Sequence, residues 1–438
     1  MNMGTKILKC LAIWVGIIAV FIMICLLLIF GLLSKEKESA GVAKTIPEMK
    51  IVLKNTTLDE INGGSKDIKY AGNEMVLVDG DDEYYFDDVE IKGRGNASWL
   101  MDKKSYRIRL SERVDLIGLG EVKKWGLISN NVDNSLMRND LGQFIAGLLY
   151  DDYQIHGDFV KLIVDEKNLG LYYITKLASI GKNMIDLKGQ LGILAEVDNA
   201  YCEEEELYRR SQTMSDCITA KDTVVEENVE EALNIFMGDY NEFEKSISHG
   251  DFEVAAERVD MESFAKYFLL SELSSNLDAY VTSWYLYKND KDDKIYSEIG
   301  WDFDGAFGNK DWWGRDEGIY SPIGLMARMK YSVDGWDDTY NNTSRCKLLD
   351  ETLISPVICY MVAMPKFRDL VNDVYKERLA GKKEEIISYI LERADYIRDE
   401  AIIDSKLWGK GDFDEEIKYL VWWMEERINY LDELFGGN

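Results

Sequence analysis

The sequence predicts an α+β architecture of two lobes with a cleft between them, preceded by one membrane-spanning helix. Three observations point to it. Residues 10–33 carry no charged side chain, and a helix needs roughly 20 such residues to cross a bilayer. Residues from about 50 to 200 hold alternating and aromatic runs broken by Gly and Asp turns, the pattern of strands. Residues from about 201 to 437 have mainly helical spacing. The resulting division is a tail 1–9, a transmembrane helix 10–33, a linker 34–49 and a domain 50–437, with a β-rich N-lobe (about 50–200) and a mainly helical C-lobe (about 201–437).

In chain order, Met75–Val78 and Tyr84–Phe86 flank the turn Asp79-Gly80-Asp81-Asp82. Tyr106–Leu110 alternates so that Tyr106, Ile108 and Leu110 face a core while Arg107 and Arg109 share the other face. A helix is expected from about Ser135 to Leu149, then a hairpin of Phe159–Val164 and Leu171–Thr175, then a short strand Leu191–Val197. Glu226–Ile247 and Met261–Leu273 have helical spacing, and 353–430 is largely helical, with breaks near Pro356 and Pro365.

Composition narrows the chemistry. The formal net charge of −29 over 438 residues opposes affinity for nucleic acid, so no nucleic-acid partner is expected. An anionic ligand must be met by a local exception to that charge. The two histidines, His156 and His249, lie outside any His-Glu-x-x-His motif, which argues against zinc hydrolases and His-dependent nucleophile chemistry. Acid–base work then rests on carboxylates. A single anchor ahead of a large domain usually exports it, so the expected location is a single-pass membrane protein with an extracytoplasmic domain, although lysines flank the span on both sides. In an oxidising compartment Cys202 and Cys217 could close a short loop. The other reading leaves Cys202, Cys217, Cys346 and Cys359 as thiols.

Two stretches carry the chemistry. Trp301-Asp302-Phe303-Asp304-Gly305-Ala306-Phe307-Gly308-Asn309 sets two carboxylates among aromatics and glycines. At a strand end they would point to one face and suit Mg²⁺ or Mn²⁺ beside a phosphorylated ligand. The bland alternative is an Asp-rich turn capped by core aromatics. Far upstream, Lys92, Arg94, Lys103, Lys104, Arg107, Arg109 and Arg113 face only Asp102 and Glu112 within 92–113. That basic island could clamp phosphates, or simply be a solvated face.

Gly93-Arg94-Gly95-Asn96-Ala97-Ser98-Trp99, Lys103-Lys104-Ser105-Tyr106-Arg107-Ile108 and Ser135-Leu136-Met137-Arg138-Asn139 resemble motifs of the spore coat protein H (CotH) kinase family. So do Gly170-Leu171-Tyr172-Tyr173, Glu196-Val197-Asp198, Asn276-Leu277-Asp278-Ala279 and Trp301–Gly305, in matching order over about residues 50–435. The resemblance implies an atypical protein kinase fold, binding ATP with Mg²⁺ or Mn²⁺ between a β-rich and a helical lobe and phosphorylating Ser/Thr of surface or spore-coat proteins. By similarity Asp278 is the catalytic carboxylate, Asp302 and Asp304 are the metal ligands, and Arg94, Lys104 and Arg107 contact the nucleotide. Glu196 is the candidate partner that would orient Lys104. Asp304 stands where the kinase Asp-Phe-Gly segment has glycine, and Ser283 where a second metal-binding asparagine is expected. Ser283, with the scarcity of ATP outside most cells, keeps open a non-catalytic cell-surface or coat-assembly alternative, and Asp304 is a carboxylate that could compensate for it.

Overall fold

The computed structural model describes residues 45–310, 321–325 and 354–436. Strand β1 (Glu48–Val52) leads into helix α1 (Leu58–Gly63), which opens on a capping box. The Glu60 N–H donates to Thr57 Oγ1 at 3.2 Å, and the Thr57 N–H donates to Glu60 Oε2 at 2.9 Å. The hairpin of β2 (Tyr70–Asp79) and β3 (Asp82–Arg94) follows, turning at the foreseen Asp-Gly-Asp-Asp. Then come β4 (Ser105–Asp115), β5 (Glu121–Ile128), helix α2 (Arg138–Leu149) and the hairpin of β6 (Gly157–Val164) and β7 (Lys167–Lys176).

These strands close into a seven-stranded barrel of order β1-β2-β3-β4-β5-β7-β6, sealed by parallel pairing of β1 with β6. Period-two alternation fills it. Tyr106, Ile108 and Leu110 join Met49, Met75, Trp125 and Leu162 in its buried cluster, and Arg107 and Arg109 face away.

The barrel is followed by β8 (Ile193–Val197), β9 (Tyr208–Arg210) and β10 (Cys217–Thr223), then by helices α3 (Val229–Ser248), α4 (Phe252–Arg258) and α5 (Met261–Ser274). After β11 (Trp284–Lys288) and β12 (Ile295–Tyr296), the described chain ends in α6 (Val357–Ala363), α7 (Pro365–Arg378), α8 (Lys383–Trp408) and α9 (Phe413–Phe435). Pro356 caps α6 and Pro365 starts α7, the first-turn positions where proline loses no helical bond. A second sheet of order β12-β11-β8-β10-β9 shares a large apolar cluster with the helices. Cys202 and Cys217 form a disulfide that bridges the approach to β10. Cys359 is buried in α6, and Cys346 lies outside the described residues.

The two-lobed, kinase-like fold expected from the sequence is corrected by this topology. β8, from the expected N-lobe, pairs with β11 from the expected C-lobe, Glu196 opposite Tyr285, so the proposed boundary near residue 200 cuts through one sheet. The β-rich half closes on itself as a barrel instead of forming an open lobe. The C-terminal helices also return to that barrel. Asp404 of α8 accepts from Lys103 Nζ at 2.7 Å and from the Leu171 N–H at 2.9 Å, with both charged side chains fully buried. Gly170 permits this contact, because a Cβ there would lie 2.1 Å from Asp404 Oδ1 and its φ is +87°.

The single-pass membrane assignment is corrected as well. Among the described residues no helix is long and apolar enough to cross a membrane. The longest helices, α8 and α9, carry charged residues throughout their length, which a lipid-facing span excludes. The stretch 10–33 lies outside the described residues.

Candidate active site

The site is built where α5 ends. Ser275 caps the helix in the left-handed conformation (φ 49°), its N–H reaching the Ser271 and Glu272 carbonyls. Asn276 then links two distant segments. Its Oδ1 accepts from the Asp278 N–H at 3.1 Å, and its Nδ2 donates to the Asp302 carbonyl at 2.8 Å. The Asp278 carbonyl accepts from the Val281 and Thr282 N–H groups at 3.0 and 3.1 Å, turning the chain toward β11. Tyr280 (φ 67°), Ser283 (φ 57°) and Asp302 (φ 61°) are also left-handed. Such conformations cost about 1–3 kcal/mol each in non-glycine residues and concentrate at functional sites.

Residues 301–309 form a loop rather than a strand end, so Asp302 and Asp304 are placed by side-chain contacts and not by strand alternation. Asn139 of α2 supplies the main clamp. Its Oδ1 accepts from the Phe303 N–H at 3.0 Å and its Nδ2 donates to Asp304 Oδ1 at 2.7 Å. The Phe303 ring occupies the space over Gly142, where a Cβ would lie 2.2 Å from ring carbons. Ser283 Oγ donates to Asp302 Oδ2 at 3.2 Å. The serine that stands at the expected second metal position thus contacts the first carboxylate.

Asp278, Asp302, Asp304 and Arg94 line one cavity of about 1190 Å³. Arg94 ends β3 and lays its guanidinium 5.0 Å from the centre of the Trp301 ring, a cation–π contact. From the second sheet, Lys221 of β10 is held by Glu196 at 3.0 Å and Glu205 at 2.8 Å. Asp198 accepts from Thr282 Oγ1 at 2.9 Å and from the Tyr201 N–H at 2.9 Å, tying the end of β8 to the Asp278 turn.

Electrostatics in the cavity are dominated by desolvated acids. Desolvation, reinforced by Asp302 and Asp304, holds Asp278 well above the usual carboxylate range. Asp302 is raised by desolvation against the lowering influence of Arg94 and the Ser283 hydrogen bond. Asp304 is pushed up to about 7 by desolvation, Asp302 and Asp133, with Asn139 and Arg94 opposing. Glu196 is likewise raised to about 7 by desolvation, with Lys221 opposing.

The structure gathers Asp278, Asp302, Asp304 and Arg94, and it places Lys104 and Arg107 elsewhere. Lys104 Nζ donates to the Trp99 carbonyl at 2.6 Å and lies over the Trp99 ring, and Arg107 pairs with Glu90 at 3.0 Å. Neither lines the cavity. The acidic partner suggested for Lys104, Glu196, binds Lys221 instead. Sequence reading missed Lys221, whose strand is short and polar, and the clamping role of Asn139. Only the place of Asn139 beside Arg138 in a family motif signalled it.

Hard carboxylate oxygens that repel one another suit a divalent cation. Among the described residues, no three or more His, Cys, Asp or Glu side chains are placed to enclose a metal by themselves. The donor set therefore fits a cation held by one or two carboxylates and completed by phosphate or water oxygens, the usual arrangement for Mg²⁺ with nucleotides.

A barrel and a second sheet converging on a cavity of buried acids, one arginine and a stapled lysine thus define the site. The model of the CotH kinase protein family matches residues 90–431, and the chain belongs to that family. No curated protein matches it.

Proposed function

We propose that this chain is an ATP-dependent protein kinase acting on Ser/Thr hydroxyls of surface or spore-coat proteins, with Mg²⁺ or Mn²⁺. The observation that carries the reading is the convergence in one cavity of Asp278, the Asp302–Asp304 loop and Arg94, three separate segments of the chain. Phosphoryl transfer asks a protein mainly for positioning and charge neutralisation, which such a constellation supplies. Asp278, raised by desolvation and then by its acidic neighbours, is in its carboxylate form a strong enough base to take the acceptor hydroxyl proton as the new oxygen–phosphorus bond forms and the bond to the β,γ-bridging oxygen breaks, releasing ADP. Arg94, braced on Trp301, is placed to steady phosphate oxygens. A divalent cation bound at Asp302 and Asp304 would neutralise charge on the β- and γ-phosphates. Asn139 and Ser283 orient those carboxylates.

The test is transfer of label from radiolabelled ATP, with either metal, to a panel of Ser/Thr-containing proteins. Wild type should label at least one member of the panel, and Asp302→Ala should label none. Equal labelling by both would overturn the proposal.

A further inference from the structure

Helix α2 presents a second polar residue to the cavity one turn beyond Asn139. Gln143 is only 4% exposed and lines the cavity wall. As the amide is assigned, its Oε1 accepts from Tyr173 OH at 2.7 Å and from Thr175 Oγ1 at 3.4 Å. That leaves Nε2, and among the described residues nothing accepts from it. With Oε1 held by both hydroxyls, the donating edge of the amide is the part left to face the cavity, where a ligand acceptor can meet it.

We infer that Gln143 is a ligand-contacting specificity residue whose Nε2 donates to a phosphate oxygen of a nucleoside triphosphate. The inference rests on the nucleotide reading above. Position chooses phosphate over base. Residues four apart on a helix lie about 5–6 Å from each other at Cβ, and Asn139, four residues before Gln143, donates to Asp304. Gln143 thus stands at the carboxylate end of the cavity, where phosphates would meet the cation. Arg94 is already engaged electrostatically by Asp302 and Asp304. A neutral donor at Gln143 adds a phosphate contact there without drawing on that charge.

Gln143→Met tests this role. Methionine is close to glutamine in length and uncharged, so it removes the donor without bringing a negative charge towards the phosphates. At pH 8, binding of ATP with Mg²⁺ and binding of adenosine would be measured calorimetrically for the wild type and the variant, together with thermal unfolding. The expected result is a loss of ATP affinity of about ten- to a hundredfold, with adenosine affinity unchanged. Unchanged ATP affinity, or an equal loss for adenosine and ATP, would overturn the inference. If Gln143→Met does not fold, Gln143→Leu carries the same comparison of ATP with adenosine. Failure of the wild type to bind either ligand would remove the nucleotide reading itself, and this inference with it. A variant-specific result bears on Gln143 alone.

Discussion

The basic island of 92–113 and the acidic segments 278–304 behave in opposite ways on folding. The island is dense in sequence and scattered in space. Lys92 pairs with Asp67, Lys103 with Asp404, Arg107 with Glu90, and Arg113 with backbone carbonyls, while Arg94 alone among these reaches the cavity. Asp278 and the Asp302–Asp304 pair are separated in sequence and held together through Asn276, while Asn139 fixes the loop of the pair. Charge density along a strand therefore says little about charge density in space, because the cations were dispersed to separate anions, carbonyls and aromatic rings. Convergence of like charges is the arrangement that needs an external explanation, and the divalent cation proposed for the site would provide one.

The largest effect should come from the acidic side. Asp278→Asn is expected to lower kcat by roughly a hundred- to ten-thousandfold, the range for removing a general base, with KM for ATP little changed. A variant that kept its kcat would remove Asp278 from the chemistry. On the basic side the largest effect should be structural. Lys103→Ala leaves the buried Asp404 carboxylate unpaired, so urea denaturation should show about 3–5 kcal/mol of lost stability. A change below 1 kcal/mol would mean that the pair does not anchor α8 to the barrel.

The pH dependence separates the regions further. Asp304 is raised to about 7 from the ordinary value of 3.8, so the folded chain holds its proton more tightly than the unfolded chain does. This contribution to stability is fully present below about pH 4 and is lost as the pH rises through about 7. Without added metal, the wild type should lose stability of order a few kcal/mol between pH 4 and 8, and Asp304→Asn should flatten that slope. An unchanged slope would show that Asp304 titrates normally. The two arginines give the smallest pair of effects. Arg94→Ala should raise KM for ATP about tenfold. Arg107→Ala, in a partly exposed pair, should cost less than about 1 kcal/mol of stability and leave KM unchanged. Equal KM shifts in the two variants would erase the distinction between island and cavity.

Much of this was legible along the chain, and the exceptions have physical causes. Strand alternation placed Tyr106, Ile108 and Leu110 inside and Arg107 outside, because period-two patterning is local. Helix α5 and the hairpins followed from the same kind of signal, and the Cys202–Cys217 pairing was one of two readings left open. Barrel closure was not legible, since the parallel pairing of β1 with β6 joins residues more than a hundred positions apart. Nor was the second sheet, whose strands β9 and β12 span three and two residues. That Lys104 lies outside the cavity has a related cause. It stood in a family motif beside other cations, whereas Lys221, which lines the cavity, sits at an irregularity in β10 and is held there by Glu196 on the neighbouring strand.

Asp278 and Asp302 should act as one unit if the cavity is a single phosphoryl-transfer site. A double-mutant cycle on kcat/KM for label transfer from ATP tests this directly. The expected result is that Asp278→Asn together with Asp302→Asn is no slower than the slower single variant, the non-additivity of residues that serve one step. Effects that multiply, each variant slowing transfer independently of the other, would contradict it.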